Sequence, residues 1–215
     1  MAKENKTETK QNKEKANKEP QKSAHGFYHY LKEAWKHPTQ EQEAEQRQKL
    51  ISWREGDRIT KLEKPTRLDR ARNLGYKAKK GFIVYRVVIE RGGRHKARPT
   101  TKRRSKRFNI KKMLRMNYRW VAEQRVQRKH QNLEVLNSYL VGQDGKYFFF
   151  EVIMVDRNAP EIKADKNLNW ITMPANKFRA YRGLTSAGRK SRGLFNRQRN
   201  LKVRPSLRSW NRQGR

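Results

Sequence analysis

The chain has 215 residues, with 55 Lys and Arg against 20 Asp and Glu, which gives a formal net charge of +35. Internal acids cannot neutralise such an excess, so a polyanion has to supply the counter-charge, and nucleic acid and an anionic membrane are the two candidates. The sequence contains no cysteine, which excludes disulfides, cysteine zinc sites and a thiol nucleophile.

A membrane is the weaker candidate. No stretch approaches the roughly 18–20 consecutive apolar residues that a spanning helix needs. The opening MAKENKTETKQNKEKANKEP lacks the apolar segment of a secretory signal, so a cytoplasmic protein is expected. The hydrophobic fraction is only 33%, but the apolar residues are clustered, which predicts one modest core with long basic extensions.

Composition divides the chain into three regions. Residues 1–22 contain almost nothing apolar and are expected to form a disordered N-terminal extension. Residues 23–165 hold the periodic apolar segments and are expected to form an α+β core with basic loops. Residues 166–215 carry 14 Lys and Arg and no acid, so they are expected to be a basic extension that orders only against a polyanion.

Three helices are predicted in the first third of the chain. Apolar residues at helical spacing predict the first helix over residues 25–37. The second begins after Thr39, which forms a capping-box pattern with Gln42, and its polar composition predicts a position on the surface. The third covers Leu68–Leu74 and ends at Gly75.

One longer helix is predicted in the middle of the chain. Apolar residues on one side of a helical wheel place it from Ile110 to about His130. Lys112, Arg115 and Arg119 fall on the other side, so one face is expected to pack while the opposite face carries charge.

β-Branched and aromatic residues predict strands over Phe82–Arg91, Leu133–Val141 and Lys146–Asp156. A turn at 143–145 joins the last two as a hairpin, and Asn169–Met173 adds a short extended piece. This order predicts an α+β fold with a small, mainly antiparallel sheet packed with helices. The expected core residues are Ile83, Tyr85, Val87, Leu114, Val121, Phe149 and Ile153.

Three cationic segments, 64–80, 91–112 and 177–215, are the main functional motifs. Their small residues let the backbone approach a phosphate chain, which Arg can bind with two parallel hydrogen bonds. DNA readers usually present a compact module to a regular groove, whereas irregular extensions suit folded RNA. The residues expected to bind RNA are Arg67, Arg70, Arg72, Lys77, Lys79, Lys80, Arg94, Arg98, Arg103, Arg104, Arg107, Lys112, Arg115, Arg119, Arg182, Arg189, Lys190, Arg192, Arg197, Arg199, Arg204 and Arg208.

An enzyme is disfavoured. His25 and His29 share a helix face but have no third ligand in the pattern, and Glu134, Glu151 and Asp156 are expected to pair with Arg. The sequence has no phosphate-binding glycine loop, HExxH or GxSxG motif. Catalytic residues, metal ligands and cofactors are therefore not expected.

Three stretches resemble the L15e family of archaeal and eukaryotic large-subunit ribosomal proteins, in the order that the family has them. They are KPTRLDRARNLGYKAKKGFIVYRVVIERGGR, VLNSYLVGQDGKYFFFEVIMVD and RGLTSAGRKSRGL, and with the first helix the resemblance spans roughly residues 25–195. It implies an α+β protein buried largely in ribosomal RNA, with extended RNA-contacting arms and no catalytic residues. The tail after Leu194 is more similar to the archaeal than to the eukaryotic form.

The expected function is a structural constituent of the large subunit that binds and clamps ribosomal RNA in the cytoplasm. The expected partners are large-subunit ribosomal RNA and neighbouring ribosomal proteins, with no membrane and no homo-oligomer. Two alternatives remain: a free-standing RNA chaperone or assembly factor, and an RNA-processing enzyme.

Overall fold

The structure is a computed structural model, and it describes residues 25–93 and 116–194. The chain divides into two units, one ending at His37 and the other beginning at Pro38, which are described separately. The helices and strands of the described residues are α1 (Phe27–Lys36), α2 (Gln40–Glu55), β1 (Ile59–Leu62), α3 (Leu68–Asn73), β2 (Phe82–Glu90), α4 (Tyr118–Lys129), β3 (Leu133–Gln143), β4 (Tyr147–Asp156), α5 (Pro160–Lys163) and α6 (Ser186–Ser191), with short 3₁₀ turns at Asn169–Thr172 and Pro174–Asn176.

Helix α1 confirms the first predicted helix. None of its residues is buried, and Phe27 and Tyr30 are 65% and 59% exposed. The rings of His25 and His29 stack with their centroids 3.9 Å apart, which is the geometry of a packing contact. Within the described residues, no group of three or more potential ligands could hold a metal ion.

Helices α2 and α3 lie where the sequence predicts them. The capping box is present, since Thr39 Oγ1 accepts from the N–H of Gln42 and the Gln42 side chain accepts from the N–H of Thr39. None of the residues of α2 is buried, as its polar composition predicts. Helix α3 ends before Gly75, whose φ of +96° is a conformation that few other residues adopt readily.

The second unit is built around a four-stranded antiparallel sheet in the order β1–β2–β4–β3. Strand β2 pairs with β4 along the whole length of β2. The predicted hairpin joins β3 to β4, and at its turn the N–H of Asp144 donates to the carbonyl oxygen of Tyr147 at 2.9 Å. The prediction of an α+β fold with a small antiparallel sheet is therefore confirmed.

The two edge strands of this sheet are irregular. Strand β1 has only four residues, and nothing in the alternation of its sequence distinguishes it from a connection. In β3 the pairing register shifts between Val135 and Asn137 and again between Leu140 and Gly142, which are β-bulges or similar irregularities.

Both faces of the sheet are covered. On one face, Tyr85 and Val87 pack in a cluster with Val126 of α4. On the opposite face, the ring of Phe149 lies with its centroid 5.5 Å from that of Trp53 in α2. Of the predicted core, Leu114 lies outside the described residues, Ile83 and Val121 are half-buried against the core, and the buried residues are Tyr85, Val87, Phe149 and Ile153.

Helix α4 begins at Tyr118, so the prediction of a continuous helix from Ile110 is wrong at its N-terminus. Asn117 caps the helix, because its Oδ1 accepts from the N–H of Trp120 at 2.8 Å. Asn is a favoured capping residue, but the apolar residues before it continue the helical pattern and conceal the boundary. Residues 110–115 lie outside the described residues.

Some residues after Asp165 belong to the core, against the expectation that this region buries little. The buried apolar side chains are Leu168, Ile171, Ala180 and Ala187. Asn169–Thr172 form a 3₁₀ turn, so the predicted extended piece is wrong there. These side chains are few and irregularly spaced, so no hydrophobic period marks them in the sequence.

Gly81 lies where a side chain has no room. Its φ is +88°, and a Cβ at this position would stand 2.7 Å from Cγ1 of Ile162 in α5. Replacing Gly81 with Ala should therefore lower the free energy of unfolding by about 3 kcal/mol, measured by chemical denaturation. Gly145→Ala is the control, because a Cβ there has no neighbour within 4 Å; a similar loss in both variants would contradict the steric explanation.

Candidate nucleic-acid interface

The first basic segment, residues 64–80, surrounds α3. Its one acid, Asp69, is buried and forms an ion pair with Arg67 at 3.1 Å. Arg72 also lies over the ring of Tyr76, 6.0 Å from the centroid. All the exposed charged side chains of this segment are therefore positive, and they are Lys64, Arg70, Arg72 and Lys80.

Two further cations of the first basic segment form ion pairs with an acid of the protein itself. The Nζ atoms of Lys77 and Lys79 lie 2.6 and 2.7 Å from Oδ2 of Asp165. These hydrogen bonds hold the pKa of the Asp165 carboxyl well below its usual range. Two residues predicted to bind RNA thus attach the segment to the turn that follows α5.

The low pKa of Asp165 predicts an acid-dependent part of the stability. Because the folded-state pKa lies below the unfolded value of about 3.9, the ionised carboxylate stabilises the fold above that pH, and this stabilisation is lost as the pH falls below it. Urea unfolding should therefore show a steeper loss of stability below about pH 4 in the wild type than in Asp165→Asn. Asp57→Asn, at an exposed position, should keep the wild-type steepness.

A buried carboxylate ties the start of the first basic segment to the sheet. Glu151 in β4 accepts from the N–H of Thr66 at 3.2 Å and from the hydroxyl of Tyr139. Burial raises the pKa of both Glu151 and Tyr139. The predicted Arg interaction of Glu151 is present as an attraction between its charge and that of Arg86 in β2. For Asp156 the contact is instead with the N–H of Asn158, at 2.9 Å.

The second basic segment, residues 177–194, is the described part of the predicted cationic segment 177–215. Its beginning is attached to β3, where Oε1 of Glu134 accepts from the N–H of Phe178 at 2.9 Å. Arg179 is buried and donates to the carbonyl oxygens of Val135 and Leu136 at 2.7 and 2.9 Å. Glu134 therefore binds a backbone N–H, and its charge also attracts the guanidinium group of Arg179, in agreement with the prediction of an Arg partner.

Glu123 of α4 is the centre of a polar network that joins α4, β3 and the second basic segment. It is fully buried, and its two oxygens accept from Ser138 Oγ and from Thr185 Oγ1, each at 2.5 Å. Thr185 is also the N-cap of α6, because its Oγ1 accepts from the N–H of Gly188 at 3.2 Å. Burial raises the pKa of Glu123, and the two hydroxyl hydrogen bonds partly offset this.

Arg119 points into the protein, so its assignment to an outward charged face of the helix is wrong. Its Nε donates to Ser138 Oγ at 2.9 Å, and its Nη2 donates to Oδ1 of Asn137 at 2.5 Å. Burial lowers the pKa of Arg119. The physical reason is that α4 is covered twice, by the sheet and by the second basic segment, where Trp120 Nε1 donates to the carbonyl oxygen of Ala180 at 2.5 Å.

The second basic segment also displays cations. Arg182 donates to the carbonyl oxygen of Lys177 at 2.9 Å, and the half-buried Arg192 donates to that of Gly183 at 2.9 Å. The segment has no acid, and its exposed cations are Lys177, Arg182, Arg189 and Lys190. The predicted RNA-binding residues outside the described residues are Arg94, Arg98, Arg103, Arg104, Arg107, Lys112, Arg115, Arg197, Arg199, Arg204 and Arg208.

The arrangement separates the two signs of charge. Glu123, Glu134 and Glu151 are buried at the points where the basic segments meet the core, while the exposed charges of both segments are positive. Sequence reasoning missed the anchoring role of these acids. For Glu151 its position inside the otherwise apolar strand YFFFEVIMVD was the available signal, because a buried charge needs partners.

A family model described as Ribosomal L15, of the L15e family, matches residues 26–210, a range that contains the sheet and both basic segments. Among the residues that the structure describes, no helix is long and apolar enough to cross a membrane.

Proposed function

Because the chain belongs to the ribosomal L15e family, we propose that it binds and clamps large-subunit ribosomal RNA through its Arg- and Lys-rich segments. The family is one of structural large-subunit ribosomal proteins and not of enzymes. The observation that carries the proposal is the separation of charge: the acids of the core that hold the two basic segments are buried, and all the exposed charges of both segments are positive.

The exposed cations suit the phosphate chain of folded RNA. Arg70 and Arg72 project from the short helix α3, and Arg189 and Lys190 from α6, so each pair sits on a defined backbone. Phosphate contacts fix the position of a protein on RNA without reading the base sequence. The affinity should therefore fall steeply with salt and depend little on base identity.

Removing cations from the first basic segment should weaken RNA binding in a salt-dependent way. The triple replacement of Arg70, Arg72 and Lys80 with Ala should lower the slope of log affinity against log salt by about 0.7–0.9 for each phosphate that the variant can no longer bind. Fluorescence anisotropy with a folded fragment of large-subunit ribosomal RNA, at several KCl concentrations, measures this slope.

The matched control removes the same charge from outside both segments. Lys61, Arg128 and Lys129 are exposed on β1 and at the end of α4. Their triple replacement with Ala should leave the slope close to the wild-type value. If both triple variants lower the slope equally, binding follows net charge alone and the first basic segment is not part of the clamp.

A free-standing RNA chaperone would bind RNA with similar salt dependence, so location has to separate it from a subunit constituent. A constituent should remain in purified large subunits after a high-salt wash, at one copy per subunit by quantitative mass spectrometry. Complete release by the wash would favour the chaperone.

A further inference from the structure

We infer that Glu123 and Thr185 are positioning residues, which hold the second basic segment in its RNA-binding conformation before RNA is present. The inference rests on the proposed function, because the segment is taken to be part of the RNA clamp. It replaces, for residues 177–194, the expectation that the C-terminal region orders only against RNA.

The segment is attached to the rest of the protein along its whole length. It begins with the hydrogen bond from the N–H of Phe178 to Glu134. Further along, Trp120 Nε1 donates to the carbonyl oxygen of Ala180 at 2.5 Å. Near the end, Nδ2 of Asn117 donates to the carbonyl oxygen of Ala187 at 3.0 Å. The partners in these three hydrogen bonds are β3, α4 and the capping residue of α4, and all of them lie outside the segment.

The side chain of Thr185 forms hydrogen bonds with both the second basic segment and the core. Its hydroxyl donates to Glu123 and accepts from the N–H of Gly188. Helix α6 has only six residues, so it cannot be stable as an isolated helix and depends on its cap and its packing. The chain is also tightly folded, because a Cβ on Gly188 would lie 2.5 Å from Cα of Gly183.

The cap determines where two exposed cations stand. Arg189 and Lys190 belong to α6, so their backbone position follows from the cap at Thr185 and from its bond to Glu123. A segment that is ordered beforehand does not lose this conformational entropy on binding, and its affinity is higher for the same phosphate contacts. Glu123 therefore acts on RNA binding through Thr185 and not by touching RNA.

Amide hydrogen exchange on the free full-length protein tests the order directly. The N–H groups of Arg189, Arg192 and Leu194 donate to backbone oxygens at 2.8, 3.0 and 3.0 Å, so they should be protected in the wild type. Thr185→Val keeps the shape and removes the hydroxyl, and should abolish this protection while the amides of β4 stay protected. Thr185→Ser keeps the hydroxyl and should restore the wild-type pattern.

RNA binding supplies a readout that a purely structural role would not give. Thr185→Val should weaken RNA binding about fivefold to tenfold, because the second basic segment now loses its conformational entropy when it binds. The slope of log affinity against log salt should stay unchanged, because the phosphate contacts are the same. Lys190→Ala should do the reverse, lowering the slope by about 0.7–0.9 with unchanged exchange in the free protein. Thr185→Ser should bind as the wild type does.

Trp120→Phe provides a second variant in case Thr185→Val also opens β4. It removes the hydrogen bond to Ala180 from the helix side and should give the same pattern to a smaller degree. Fast exchange of the segment in the free wild type, or reduced protection with unchanged affinity, overturns the inference. An absence of salt-dependent RNA binding in the wild type overturns the proposed function instead, and leaves the exchange result standing.

Discussion

Replacing Phe149 with Ala should lower the free energy of unfolding by about 4 kcal/mol, which is in the range for deleting a buried aromatic ring. Phe149 is fully buried on the face of the sheet that α2 covers. Its ring lies against those of Trp53 and Tyr147, with centroids 5.5 and 6.5 Å away. The deletion removes apolar packing and leaves a cavity between sheet and helix, and urea unfolding monitored by circular dichroism measures the destabilisation.

Leu140→Ala is the matched control on the neighbouring strand. Leu140 is 41% exposed, so its truncation should cost less than about 1 kcal/mol. A cost for Phe149→Ala as small as that of the control would mean that α2 does not hold the second face of the sheet in solution.

The second large effect is expected at Glu123. Replacing it with Ala should lower the free energy of unfolding by about 3–5 kcal/mol, because it breaks a buried charged network from one side. The hydroxyls of Ser138 and Thr185 lose their acceptor. Arg119 and Arg179 lose the carboxylate whose charge favours their ionised forms.

Glu123→Gln separates shape from charge. It keeps the volume, and its amide oxygen can still accept one of the two hydroxyl hydrogen bonds, so its destabilisation should be well below that of Glu123→Ala. Because burial raises the folded-state pKa of Glu123 above the unfolded value of about 4.3, the native state holds its proton longer, and stability should fall as the pH rises from that value through the folded pKa. Gln should remove this part of the pH dependence, and an unchanged profile would contradict the buried position.

The sheet could be predicted from the sequence because its central strands are buried on both sides. Residues 82–90 and 147–156 are dense in β-branched and aromatic side chains, and the turn at Asp144–Gly145 sets the register of the hairpin. Strand β1 was missed because four residues carry too little pattern. The start of α4 was misplaced because a capping side chain at Asn117 competes with an apolar pattern that continues before it.

For the charged surface, the sequence could predict which segments are rich in cations but not which of those cations are exposed. Net charge and its clustering identify the segments, since both are properties of the chain itself. Which cations stay exposed depends on contacts between distant residues. Lys77 and Lys79 form ion pairs with Asp165, and Arg119 donates hydrogen bonds to β3. A helical wheel or a run of charges in the sequence could not distinguish these internally bonded cations from exposed ones such as Arg70 and Lys190.

The irregular edges of the sheet bear on how a ribosomal protein behaves before it joins the ribosome. An edge strand offers free backbone groups to which a second sheet can add, and this is a common start of aggregation. Here β1 offers only four residues, and the register shifts at Val135–Asn137 and Leu140–Gly142 disturb the other edge. Arg179 also occupies the carbonyl oxygens of Val135 and Leu136. Each edge is therefore a poor template for strand addition, which favours a newly made chain remaining available for assembly.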